Sequence, residues 1–368
     1  MKILEQTLRD IGAADRDVMA KAQREIDYCL KPPGSLGKLE DIARQIAGIT
    51  GKLDNSIGKK AIIVMMADNG VYGEGIAMYP QDVTRIGADF VTSGRMGVNF
   101  LANHAGADII AVDIGIQVDV DLPRVIQRKV RYGTANFRRQ PAMEREEAVK
   151  AIETGIEIAG QAIDDGYNLL GTGEIGIGNT TASSAVLYAF TGANIDRVVG
   201  RGAGLSDEAY AAKKQVVQDA VHLHQPDRDD PLDVLSKVGS LDIAGMAGIY
   251  LASAARKIPV VADGLISNVA ALTALRLKPE VIDYIIPSHI SFEPGAKLLK
   301  EITGLEPMLD MNMRLGEGTG CALVFPIIEA ALKMTSEMGT FASLGKTRDE
   351  IGSSAMAYHG SHPGGDSQ

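Results

Sequence analysis

Residues 168–181 read Asn-Leu-Leu-Gly-Thr-Gly-Glu-Ile-Gly-Ile-Gly-Asn-Thr-Thr: an apolar run, a glycine-rich turn, then residues suited to open a helix. Four other short runs share this form and end in Gly, Asp or Ser: AIIVMMAD (61–68), DIIAVDIG (108–115), PVVADGLIS (259–267) and DYIIPSHIS (283–291). Between them lie longer amphipathic, Ala-rich segments such as 144–166 and 206–221. Continuous apolar runs alternating with helical stretches are the pattern of buried parallel strands joined by crossover helices. The expected fold is therefore α/β, with a doubly wound, mostly parallel, Rossmann-like sheet.

Both ends of the chain read differently. Residues 1 to about 50 have charged faces and apolar positions at helical spacing (Leu4, Leu8, Ile11), broken by Lys31-Pro-Pro-Gly-Ser-Leu-Gly37, so two helices are expected about a rigid turn. After Gly320 the sequence is helical again, with an interruption expected at Pro326. This divides the chain into a large catalytic domain (51–324), a small helical domain (1–50 with 325–350) and a flexible tail (351–368) that holds His359 and His362.

The formal charge of −10 over 368 residues, 5% aromatic content and absence of Trp argue against a nucleic-acid partner. Only Cys29 and Cys321 occur, far apart, which excludes a disulfide framework and fits a reducing compartment. His222 and His224 lie in the loop-like stretch HLHQPDRDDP without a third ligand in pattern, so no metal is expected. The charged N-terminal stretch has no apolar signal core and no later run is of membrane length, so the expectation is a cytoplasmic protein without a membrane partner.

Open α/β sheets bind ligands beyond the carboxyl ends of their strands. The polar residues expected on that rim are Asp68, Asn69, Asp113, Glu174, Asp263, Ser288, His289 and Ser291. Gly171, Gly173 and Gly176 spell G-x-G-x-x-G, and Asp196 falls where a dinucleotide fingerprint has its ribose-binding acid. Glu174 inside that loop would repel a pyrophosphate, so a single phosphate or its ribose held by backbone N–H groups fits better, with the dinucleotide as the alternative. A second glycine loop, Gly200-Arg-Gly-Ala-Gly-Leu205, precedes a helix carrying Lys213, either a phosphate ligand or an ordinary solvated lysine. In Arg314-Leu-Gly-Glu-Gly-Thr-Gly320 one carboxylate stands between glycines in an apolar surround. There Glu317 is either a base with a raised pKa or a turn residue in water.

Together with KPPGSLGKLE (31–40), MADNGVYGEGIAMYPQDVT (66–84), DVLSKVGSLDIAGMAG (233–248) and IPSHISFEPGA (286–296), these stretches closely resemble the nicotinate-nucleotide–dimethylbenzimidazole phosphoribosyltransferases, or CobT family, from about Leu8 to about Gly345. The resemblance implies transfer of phosphoribose from nicotinate mononucleotide to 5,6-dimethylbenzimidazole in cobalamin assembly, by an inverting displacement without cofactor or metal. It implies Glu317 as the general base, with Glu174 orienting the ribose or stabilising positive charge. By the same resemblance Gly176, Gly202, Ser291 and Lys213 hold phosphate and ribose, with Lys213 reaching across the interface of a homodimer. Met78, Tyr79, Gly87 and Leu315 shape the acceptor pocket. This chain has Asn69 where some relatives carry His, and Tyr79 and Gly87 where some carry small polar or amide side chains. A changed acceptor pocket, open to related bases, is the expectation.

Overall fold

The computed structural model describes residues 2–345. The tail expected at 351–368, with His359 and His362, lies outside the described residues. Among the described residues, six strands, β1 (Lys59–Ala67), β2 (Asp108–Gly115), β3 (Val125–Gln127), β4 (Tyr167–Ile175), β5 (Val260–Ala262) and β6 (Ile285–Pro287), form one sheet in the order β3-β2-β1-β4-β5-β6. Every pairing is parallel. Residues Ala61 to Ala67 of β1 are fully buried, which is why this strand reads as an unbroken apolar run. The strand order reverses between β1 and β4, leaving a crevice beyond their carboxyl ends, where doubly wound sheets bind ligands. The short edge strand β3 was not expected from the sequence: it pairs only through Val125, Ile126 and Gln127 and carries no run of its own.

The helices Arg145–Asp164 and Leu241–Ala255 meet almost backbone to backbone. A Cβ on Gly155 would collide with the carbonyl of Gly245, and one on Gly248 with the carbonyl of Ile152. The chain divides into two compact units. The large unit joins the residues up to Ala13 to Ile57–Pro326, and the small one joins Ala14–Ser56 to the chain from Ile327 onward. The expectation that all of residues 1–50 belong to the small unit is corrected: the helix Lys2–Asp10 joins the large unit, where Glu153 accepts the N–H groups of Ile3 and Leu4 at its exposed N-terminus.

In the small unit the helices Arg16–Tyr28 and Lys38–Thr50 flank the turn expected from its two prolines. Lys31 and Glu40 pair there at 2.7 Å, and Glu40 also accepts the N–H groups of Gly34 and Leu36, so KPPGSLGKLE is bound up in its own turn. Ile26, Cys29, Ala43 and Met334 form its core.

Two further expectations are corrected. Pro326 does not interrupt the last long helix, which runs unbroken over Thr319–Glu337. That helix is long and apolar enough to cross a membrane by length and composition, but 56% of its apolar window is buried within the protein, as in a core helix. His222 and His224 are not in a loop, because the helix Asp207–His224 continues to a left-handed cap at Gln225, and His224 bonds the carbonyl of Phe137 at 2.7 Å.

Gly155→Ala is expected to destabilise the protein by about 1–3 kcal/mol, the usual range for overpacking a close interface. Urea unfolding of the variant beside the parent checks this, whereas Gly160→Ala on the same helix, with nothing near its Cβ position, is expected to be neutral or mildly stabilising.

Candidate active site

A cavity of about 560 Å³ opens at the carboxyl ends of β4, β5 and β6, and Glu174, Asp263, His289 and Glu317 all line it. Glu317 holds its backbone at φ +63°, a left-handed conformation rare for a side-chain-bearing residue, between Gly316 at +86° and Gly318 at +89°. The loop lies so close to β4 that a Cβ on Gly173 would strike the Glu317 carbonyl, and one on Gly316 would strike Oε1 of Glu174. The side chain of Glu317, 9% exposed, accepts the N–H of Val98 at 3.0 Å, at the N-terminus of the helix Gly97–Ala105. Burial raises its pKa above the ordinary value, the Val98 N–H works against this, and the nearby charge of Asp263 raises it further. Leu315 packs beside it, since a Cβ on Gly97 would meet both Leu315 Cδ2 and Glu317 Oε2.

Asp263, at the end of β5, accepts the N–H of Gly318 at 3.0 Å and of Gly320 at 2.7 Å. Burial pushes its carboxyl up to about 7. His289 lies 3.8 Å away and shares a hydrogen bond with Ser288. Burial lowers the imidazole to about 4, which leaves it neutral at physiological pH.

Glu174 ends β4 and shares the amide of Asn179 with Asp242: Nδ2 of Asn179 donates to Glu174 Oε2 and, at 3.0 Å, to Asp242 Oδ2. Asp242 is further held by Ser240 Oγ and the N–H of Ile243. Burial, then the charge of Asp242, drive the Glu174 pKa well above its ordinary value, so the site favours a protonated carboxyl there.

The helix Asn179–Thr191 begins at Gly178, φ +94°, without a side-chain cap; the N–H groups of Asn179 and Thr181 turn back to the carbonyls of Gly176 and Gly178, and Gly178, Asn179 and Thr180 line the cavity. Beneath that turn lies Lys213, 1% exposed, donating to Thr180 Oγ1 at 3.0 Å and to the Gly200 carbonyl at 3.1 Å. Burial lowers its pKa to about 8, while Glu293 opposes the shift. A Cβ on Gly202 would sit 3.2 Å from Thr180 Oγ1 and 3.7 Å from Lys213 Nζ, so the second glycine loop closes over both.

Eight of the ten expected residues line the cavity: Glu317, Glu174, Met78, Tyr79, Gly176, Gly202, Ser291 and Leu315. Gly87 stands one layer behind, where a Cβ would come within 2.9 Å of Ile175 Cγ2. Lys213 is not a solvated helix lysine: it lies below the glycine loops, and its ammonium is bonded to Thr180 and Gly200 of its own chain. Asp68 and Asp113 face other work: Asp68 accepts the Gln117 N–H at 2.8 Å, and Asp113 pairs with Lys129 at 2.9 Å. Asn69 is buried and donates to the Ile177 carbonyl at 3.3 Å. Gly171 and Gly173 lie within β4 rather than in a turn, packed against Cys321 and the Glu317 carbonyl, so the G-x-G-x-x-G spelling is not a dinucleotide loop. Sequence reasoning missed Asn179, Asp242 and Glu293; an Asn opening a helix directly after a glycine loop was the one available signal.

The sheet order, the two glycine loops and the carboxylates around one cavity agree with a family model described as phosphoribosyltransferase, which matches residues 11–345. The class is therefore an α/β phosphoribosyltransferase. A nicotinate-nucleotide–dimethylbenzimidazole phosphoribosyltransferase of Acetivibrio thermocellus is 50% identical over 340 residues, covering 92% of this chain and 97% of the relative. One of the same name from Clostridium tetani is 47% identical over 342 residues, covering 93% and 94%. The crystal structure of CobT from Thermus thermophilus superposes with a TM-score of 0.86 at 38% identity, covering 90% of this chain and 99% of that one. The chain belongs to the nicotinate-nucleotide–dimethylbenzimidazole phosphoribosyltransferase family.

The raised pKa of Glu174 has a consequence for stability. The folded protein retains a proton that the unfolded chain releases above the ordinary value of 4.5, so the carboxyl weakens the fold progressively as pH rises past that point. Glu174→Gln is expected to unfold at higher urea than the parent at pH 7, with the advantage shrinking toward pH 4; urea melts across that range check it.

Proposed function

We propose that this enzyme transfers the phosphoribosyl group of nicotinate mononucleotide to 5,6-dimethylbenzimidazole or a related base, giving α-ribazole 5′-phosphate and nicotinate in cobalamin nucleotide-loop assembly. The observation that carries the reading is Glu317, a buried carboxylate with a raised pKa on a left-handed loop, bordered by Leu315 and anchored on the N-terminus of the helix Gly97–Ala105.

In this mechanism one nitrogen of the base attacks the anomeric carbon from the face opposite nicotinate. The new C–N bond forms as the old one breaks, its electron pair leaves on the nicotinate nitrogen, and the configuration inverts from β to α. The base's second nitrogen gives its proton to Glu317, so the product is not left as a cation. Glu174, which its surroundings push toward the protonated form, supports the reaction by orienting the ribose. Gly176 and Gly202 offer backbone to the phosphate, with Ser291 lining the same cavity and the ammonium of Lys213 beneath Gly202. Met78, Tyr79 and Leu315, each at least half exposed, shape the acceptor side, and Gly87 sets how far Ile175 intrudes. We further place the enzyme in the cytoplasm as a homodimer: both cysteines are free, and the apolar residues at the cavity mouth favour a covering partner. Sedimentation analysis tests the oligomeric state.

Glu317→Gln, which keeps shape and loses basicity, is expected to lower turnover by about 10²-fold or more with nucleotide affinity retained. Nicotinate release and α-ribazole phosphate formation measure the first, and calorimetry the second. Donor affinity should fall as pH rises through about 8, where Lys213 loses its charge. Calorimetric titration between pH 7 and 9.5 reads this, and Lys213→Met should bind weakly with a flat profile.

A further inference from the structure

Asp263 is buried at the end of β5, and each of its carboxylate oxygens accepts a main-chain N–H of the catalytic loop: Oδ2 from Gly318 at 3.0 Å and Oδ1 from Gly320 at 2.7 Å. Those two N–H groups closely follow Glu317, whose φ of +63° is unfavourable for a residue with a Cβ and persists only where the surroundings over-determine it. The loop has no slack on that side: a Cβ on Gly320 would come within 2.7 Å of Asp263 Oδ1 and collide with His289 Nδ1. We propose that Asp263 is a positioning residue for the transfer reaction: its grip on Gly318 and Gly320 holds Glu317 in the left-handed form that turns the carboxylate into the cavity. The inference rests on Glu317 being the base.

Asp263 reaches Glu317 in a second way, through charge. The titratable groups facing it are Glu317 and Glu174 at the cavity, His289 beyond the end of β6, and Tyr250 and Cys321 from the helices behind. With His289 neutral, the anionic form of Asp263 raises the pKa of Glu317 by repulsion. The acid limb of the rate profile then belongs to the pair Asp263 and Glu317 rather than to either alone.

The decisive variant is Asp263→Asn. It keeps the shape, but its NH2 faces a main-chain N–H, so one of the two bonds is lost. We expect kcat to fall roughly 10- to 100-fold, the cost of one buried unsatisfied donor, with KM for nicotinate mononucleotide within about twofold. The acid limb should move to lower pH and become a single titration. A variant whose kcat and limb both match the parent, or whose kcat falls at every pH without moving the limb, overturns the proposal. The double variant with Glu317→Gln should be no slower than Glu317→Gln alone; independent, multiplying losses overturn it. If Glu317→Gln is itself fully active, the reading of Glu317 as base fails instead, and the two failures are told apart. Should Asp263→Asn not fold, the [15N]glycine amide spectrum of the parent protein decides: the Gly318 and Gly320 signals must shift together at one pH midpoint, and independent or absent shifts overturn the proposal.

Discussion

The main chain from Gly316 to Gly320 lies directly on the end of β4, and the rest of the site depends on that contact. Gly173 in the strand and Gly316 and Gly318 in the loop leave no room for a Cβ between the two layers. With the layers so close, Glu317 and Glu174 share one cavity, and Asp263 reaches the N–H groups of both Gly318 and Gly320. A loop even one methyl group farther out would break those bonds and let water between the carboxylates. The raised pKa values of Glu317 and Asp263, which come first from burial, depend on its exclusion.

Buried carboxylates in such number are tolerable because most of their oxygens have donors, and because burial drives all four toward the neutral form. Asp242 is fully bonded by Ser240, Ile243 and Asn179. Asp263 takes two backbone N–H groups, while Glu174 shares the Asn179 amide with Asp242, and burial drives its carboxyl well above the ordinary value. Glu317, which lines the same cavity, is held at a helix N-terminus by the Val98 N–H.

Much of this could be read from the chain because strand burial and glycine spacing leave local marks. Five of the six strands announce themselves as apolar runs, and the glycines around Glu317 mark the left-handed turn they make possible. What stayed hidden depends on residues meeting across the fold. The strand β3 is defined by its neighbour β2 rather than by its own three residues. His222 and His224 read as loop because Pro226 and the aspartates that follow mask a helix whose last turn ends just before them. The burial of Lys213 could not be seen at all, since only the folded Gly200 to Leu205 loop turns a helix lysine into an interior one. Asn179 and Asp242 are far apart in sequence and acquire meaning only when one amide bridges two acids.

The helices behind the sheet touch through Gly155, Gly245 and Gly248 with no side chains between them. Such a seam has no rotamers with which to accommodate change, so drift there is closed to the sequence. The cavity mouth is the opposite: Met78, Tyr79 and Leu315 are half in water and bear little of the core's packing. Rigidity and tolerance are thus separated in space: side chains at the cavity mouth can change without disturbing the framework that holds the carboxylates.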